Sequence, residues 1–173
     1  TTEWLSQIDF GPVILPNHVD PCLSGDGRYV VFLTQLEPWA KSKGQFDGLA
    51  LADRTTGTSM LIDQLDYRFS SLEKLGYQRQ PLISLDGSTI AVMVPAADGT
   101  NEYFLRTIDV TSLAVTDHAA VRNRQQDYGT FSIDGAGEHV AFQTAYPLLA
   151  KDKDAQLDIY TYELASGSVT LCS

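Results

Sequence analysis

Positive charge is scarce in this sequence: 12 Lys and Arg stand against 22 Asp and Glu, a formal charge of -10 over 173 residues. Such a surface repels phosphate backbones and anionic lipid, which makes nucleic acid and membrane surfaces poor partners. No apolar run approaches the roughly 20 residues that cross a bilayer as a helix, so membrane insertion is not expected. The start, Thr1-Thr2-Glu3-Trp4, is neither a signal peptide nor an initiating Met, and a processed or trimmed chain is expected. Cysteine is equally sparse. Cys22 and Cys172 sit near opposite ends, outside the C-x-x-C spacing of a zinc or thioredoxin-like site. They read either as two buried thiols or as a staple joining the first and last repeat, and the staple needs an oxidising compartment and Cα atoms within about 7 Å.

Signatures of catalysis are missing too. There is no Gly-x-Ser-x-Gly elbow, and His18, His118 and His139 show no paired ligand spacing, so each reads as a satisfied strand histidine. Gly25-Asp26-Gly27 and Gly135-Ala136-Gly137 begin like a phosphate-cradling loop, but Val30 and Val140 stand where a third Gly is needed, and strands follow instead of helices. The reading therefore leans away from an enzyme. With 43% hydrophobic and 20% charged residues, the composition is that of a globular domain with a sizeable core.

What is present is a repeat. Ser24-Gly25-Asp26-Gly27 precedes Val30-Val31-Phe32, Ser84-Leu85-Asp86-Gly87 precedes Ile90-Ala91-Val92, and Ser132-Ile133-Asp134-Gly135 precedes Val140-Ala141-Phe142, at spacings of 60 and then 48 residues. Asp accepts hydrogen bonds from neighbouring amides and Gly supplies positive φ without steric cost, so Asp-Gly between two β-type runs predicts a hairpin turn. Three copies at equivalent positions argue for structural turns made by Ser24, Asp26, Gly27, Ser84, Asp86, Gly87, Ser132, Asp134 and Gly135. A ligand-binding acid would be expected once.

Around these turns the pattern predicts three four-stranded units, 18–65, 66–118 and 119–173, after a segment 1–17 that can supply one extra strand. The first unit has strands into Leu23, from Tyr29 to Thr34, from Gly48 to Asp53 and from Ser59 to Leu65. The second has Thr89 to Val94, Tyr103 to Asp109 and Ala114 to His118, after a lead-in in which Ser70 to Leu75 reads as loop. The third has His139 to Thr144, Asp158 to Leu164 and Val169 to Leu171. Each unit cannot bury its apolar face alone and must stack on a neighbour.

Four-stranded repeats of this length are what propeller blades look like. The phrases Leu23 to Phe32 and Asp158 to Gly167 resemble the repeat of the TolB-like, WD-related bacterial β-propellers, in which a Ser-x-Asp-Gly strand is followed by a strand that opens with Asp and closes at Gly. The likeness covers residues 18–173 and is weaker in the second copy, where Glu102-Tyr103 stands near the Asp position and no terminal Gly follows. It implies an all-β propeller, a binding or accessory role, and a periplasmic or secreted bacterial location. The family includes binding scaffolds and the non-catalytic propellers of peptidases. Closed propellers have about four to eight blades, so three leave open edges that invite pairing. The rest of the ring then lies in a further part of the protein, or two chains close a six-bladed homodimer, or the blades form an open arc.

Two candidate sites follow. In Lys151-Asp152-Lys153-Asp154-Ala155-Gln156-Leu157-Asp158, the carboxylates of Asp152, Asp154 and Asp158 in a loop entering a strand suit a hard cation such as calcium; the rival reading is a solvated polar loop. Among the aromatics, Tyr160 and Tyr162 alternate with Ile159 and Thr161 and are expected between blades. Trp39 and Tyr146 occupy matching loops after the second strand and are expected on one rim, as contacts for a protein or small ligand.

Overall fold

Among the described residues, twelve strands make three separate four-stranded antiparallel sheets, and no helix occurs. The computed structural model describes residues 18–34, 48–65, 80–96, 102–124, 130–154 and 156–173. The expected strand in 1–17, the lead-in at Ser70 to Leu75, and Trp39 lie outside them. The first sheet is β1 (His18–Leu23), β2 (Tyr29–Thr34), β3 (Gly48–Asp53) and β4 (Thr58–Gln64), each paired with the next. The second is β5 (Leu82–Ile83), β6 (Thr89–Pro95), β7 (Glu102–Asp109) and β8 (Val115–Arg124), and the third is β9 (Phe131–Ile133), β10 (His139–Thr144), β11 (Asp158–Glu163) and β12 (Val169–Leu171).

The middle sheet shows why the sheets must stack. Successive strand residues point to opposite faces, yet Ile90, Ala91, Val92, Met93 and Val94 of β6 are all 3% exposed or less. A strand buried on both faces needs a neighbour on each side, and the continuous apolar run reflects that. In β10, by contrast, Val140, Phe142 and Thr144 are buried while His139, Ala141 and Gln143 are not. One apolar cluster runs through all three sheets, from Leu33 and Leu49 through Ile90 and Leu105 to Phe142, Tyr160 and Tyr162. A second cluster of Phe32, Ala50 and Ala52 occupies the opposite face of the first sheet.

The turns lock this stack. Ser24 Oγ donates to Asp26 Oδ1 at 2.6 Å, the Arg28 amide donates to the same oxygen at 2.9 Å, and the Tyr29 amide donates to Ser24 Oγ at 3.0 Å. Ser84, Asp86, Ser88 and Thr89 repeat the arrangement. These bonds, the one from the serine foremost, hold the Asp26 and Asp86 carboxyls below the usual carboxylate range. Gly27 and Gly87 take positive φ, +71° and +74°. Between neighbouring sheets, the Gly25 amide donates to the Leu85 carbonyl at 2.8 Å and the Asp86 amide to the Gly135 carbonyl at 3.0 Å.

The third turn sits two residues further on than the sequence phrase suggests. Gly137, not Gly135, has positive φ (+70°) and donates to the Asp134 carbonyl as Gly27 and Gly87 do to Ser24 and Ser84. Asp134 therefore stands in the serine position, Ser132 lies within β9, and Ala136 replaces the turn aspartate. The physical reason is that Asp134 accepts the Glu138 amide at 2.8 Å, the bond that Asp26 and Asp86 take from Arg28 and Ser88, and pairs with His139 at 3.0 Å, so from the serine position it does the turn aspartate's work.

Two other expectations change. β8 continues to Arg124 rather than ending at His118, so the second sheet takes in residues expected in the third unit. Its pairing jumps from Leu105 with His118 to Phe104 with Arg122, and of the extra residues Ala119 and Ala120 are exposed while Val121 is fully buried. Bulged edges resist strand addition. The cysteines are both free, with Cys22 partly buried against the main core and Cys172 exposed, so they are neither two buried thiols nor a staple.

Candidate functional site

At the end of β10 the chain folds back because the Tyr146 amide donates to Thr144 Oγ1 at 3.1 Å. This aims the Tyr146 ring at the neighbouring sheet, where its hydroxyl donates to Glu102 Oε1 at 2.5 Å. Arg122 Nη1 lies 3.9 Å from the other oxygen of Glu102. The rim loop of the third sheet is thus braced on the first residue of β7, and Tyr146 stays partly exposed. Trp39, its expected counterpart, is outside the described residues.

The same loop carries the acidic candidates. One oxygen each from Asp152, Asp154 and Asp158 lie within 4.8 Å of one another, close enough to share a hard cation. Each carboxylate also has a partner in the chain. Asp152 accepts the Tyr160 hydroxyl and, at 3.3 Å, the Asp154 amide; Asp154 accepts the Gln156 amide at 3.0 Å; Asp158 accepts the Ser173 hydroxyl at 2.9 Å. Burial and the bond to Asp152 push the Tyr160 phenol up to about 12, so it remains a donor at neutral pH. Its oxygen in turn accepts the Leu148 amide at 3.3 Å. The loop is therefore tied to β11 by a fully buried tyrosine. Asp134, Glu138 and His139 form a second, exposed group with the same spacing of ligand atoms.

Tyr162 also faces inward, as the alternation predicts, and meets His118 of the middle sheet. The rings are edge-on, 5.3 Å apart at 71°, and His118 Nδ1 lies 3.3 Å from the Tyr162 hydroxyl. His118 Nε2 lies 2.8 Å from Thr107 Oγ1. This threonine-histidine-tyrosine chain was not singled out from the sequence, because Thr107 and His118 lie on different strands and Tyr162 on another sheet.

The two histidines titrate in opposite senses. Burial pulls His118 below its ordinary value of 6.5, whereas the hydrogen bond that His139 donates to the Asp134 carboxylate raises this exposed imidazole above it. The His118 contribution to stability is full above pH 6.5 and is lost as pH falls toward its lower folded value. The His139 contribution is full below 6.5 and is lost as pH rises through its higher one. We expect an NMR titration to place the two imidazole midpoints on opposite sides of 6.5. His118 titrating above His139 would contradict these environments.

Stacked four-stranded antiparallel sheets, joined through their first turns, define a partial β-propeller. Its fold is TolB-like. It is similar to TolB from Acinetobacter baumannii, with a TM-score of 0.53 and 18% identity over 90% of this chain and 32% of that one. It is also similar to the β-propeller domain of the Trilobed protease from Pyrococcus furiosus, with a TM-score of 0.56 and 12% identity over 90% of this chain and 41% of that one. A structure from a study of two prolyl endopeptidases matches with a TM-score of 0.55 and 12% identity, over 90% of this chain and 22% of that one. The chain thus spans well under half the length of each of these proteins. No protein-family profile and no curated protein matches it in sequence.

Proposed function

We propose that this chain is a non-enzymatic propeller scaffold that binds another protein or a small ligand through its rim loops or central channel. The observation that carries the reading is the Tyr146 loop, braced across two sheets through Glu102 while its aromatic ring stays partly exposed. A rigid amphipathic ring on a preformed rim binds with little loss of conformational entropy. A photo-crosslinking residue placed at Tyr146 is expected to capture a discrete partner in cells of the source organism, and the same residue at Thr170, on the outermost strand, is not. Equal capture from both positions, or none from the rim, would overturn the reading. The TolB-like fold also supports a periplasmic or secreted location, which cell fractionation tests.

A second reading is favoured by the short span of the matches: the chain is the accessory propeller portion of a larger hydrolase. The Trilobed protease has such a propeller domain. A native polypeptide much larger than 19.0 kDa on an immunoblot, carrying hydrolase activity, supports that reading. Self-association is the third. The face of β10 and β11 that carries Ala141, Gln143 and Ile159 is only partly covered, and light scattering at twice 19.0 kDa would support two chains closing one ring.

A further inference from the structure

The repeat places a tyrosine at the junction between its first two blades, a threonine at the one between its second and third, and a cleft beside that threonine. Equivalent positions are fixed by a bond made once in every blade: Arg54 amide to Arg28 carbonyl, Val110 amide to Ser88 carbonyl, and Leu164 amide to Glu138 carbonyl, at 2.8, 2.8 and 2.9 Å. On that register Thr89, Thr107 and Thr116 stand where the first blade has Tyr29, Leu51 and Met60, and Thr107 faces Thr116 across β7 and β8 as Leu51 faces Met60 across β3 and β4. His118 follows Thr116 by the same two residues that separate Ile62 from Met60.

At the first junction Tyr29 lies over Gly87, whose added Cβ would come within 3.1 Å of the ring, and Arg28 caps that ring at 4.6 Å. Arg28 also neutralises Asp53 at 2.8 Å. At the second junction the smaller Thr89 takes the place of Tyr29 beside Gly137, and Ser88 that of Arg28. What remains is a cleft of about 450 Å³ lined by Thr107, Thr116 and His118, with Asp109, Glu138 and Glu163 as its charged groups and no Lys or Arg in its lining. Leu164 and Ala165 add an apolar wall. One oxygen of Asp109 accepts the amides of Thr111 and Ser112 and one of Glu163 accepts the Ser166 hydroxyl at 2.6 Å, so the second oxygen of each, together with Glu138, supplies the negative charge of the cleft. His139, beside them, is held by Asp134.

We propose that this cleft binds a primary ammonium or guanidinium group on a short aliphatic stem, the chemistry of a lysine or arginine side chain and of a free diamine. The stem packs on Leu164, Ala165 and the threonine methyls, and the cationic head meets Glu138 and Glu163. The cleft lies by the His139 end of β10, the opposite end from the Tyr146 rim, so the two readings fail independently.

The test is an amide NMR titration of the folded chain with Nα-acetyl-lysine methylamide, Nα-acetyl-arginine methylamide, cadaverine and the neutral Nα-acetyl-norleucine methylamide. Saturable shifts at Thr107, Thr116, Gly137 and Ala165 are expected with the cations and not with norleucine. Converting the exposed pair, Glu138→Gln with Glu163→Gln, is expected to weaken binding about tenfold or more, and Thr116→Met, which puts the bulkier side chain of Met60 into the lining, to abolish it. Tighter binding of the acetylated amino acids assigns a peptide source, and tighter binding of cadaverine a free amine. No saturable shift, equal shifts with norleucine, or binding unchanged in both variants would overturn the proposal.

Discussion

Gly25→Ala is expected to destabilise the chain by about 2 to 3 kcal/mol, as overpacking against an unyielding neighbour does. A Cβ at this position would lie 2.7 Å from the Leu85 carbonyl oxygen and 3.2 Å from the Leu85 Cα, so it meets backbone that no rotamer change can move aside. The same displacement stretches the Gly25 amide bond to Leu85, one of the two turn bonds that join neighbouring blades. Gly57→Ala supplies the comparison. Gly57 has φ +69° but open space around it, so only the cost of a left-handed alanine, about 1 kcal/mol, is expected. Urea unfolding of both variants distinguishes crowding from backbone strain. Equal losses would mean that the first and second turns do not pack as described.

Arg106→Met is expected to cost about 2 kcal/mol, between the small worth of exposed ion pairs and the larger penalty of breaking a buried one. Arg106 grips Asp117 with two nitrogens, at 2.6 and 2.9 Å, and reaches Asp63 of the first blade with a third at 2.9 Å. Methionine keeps most of the stem but leaves two carboxylates facing each other across the blade junction. Asp63 is 16% exposed and Asp117 43%, so added salt should recover only part of the loss. Arg106→Lys is expected to restore less than half, since an ammonium cannot reproduce the planar fork. Unfolding at low and high salt reads all of this; a loss that vanishes in salt would make the bridge a surface decoration.

Much of the architecture is legible in local chemistry. Asp26-Gly27 and Asp86-Gly87 announce turns because only a few residue types satisfy that backbone, and the unbroken run from Ile90 to Val94 announces a strand with neighbours on both faces. The third turn was misplaced because Gly135 and Gly137 both follow Asp134, and only the pairing of β9 with β10 decides which one turns the chain. In the second blade Leu113 adopts φ +57° where Gly57 and Gly167 stand in the others, so the missing terminal Gly changed the residue without changing the turn. The rim bond from Tyr146 to Glu102 joins residues 44 apart in sequence, and no periodicity reports such a contact. The open cleft was equally hidden, because Thr89, Thr107 and Thr116 matter only when aligned with Tyr29, Leu51 and Met60.

The blades stack into one body through their first turns, and amide hydrogen exchange at Gly25 and Asp86 is the sharpest test of that stacking. Both residues are exposed turn positions whose side chains lend no protection, yet their amides donate across blade junctions to Leu85 and Gly135. Stacked blades predict that these two amides exchange as slowly as those of β6, because opening them requires neighbouring blades to part. Exchange at the rate of a free loop, with β6 still protected, would contradict the stack.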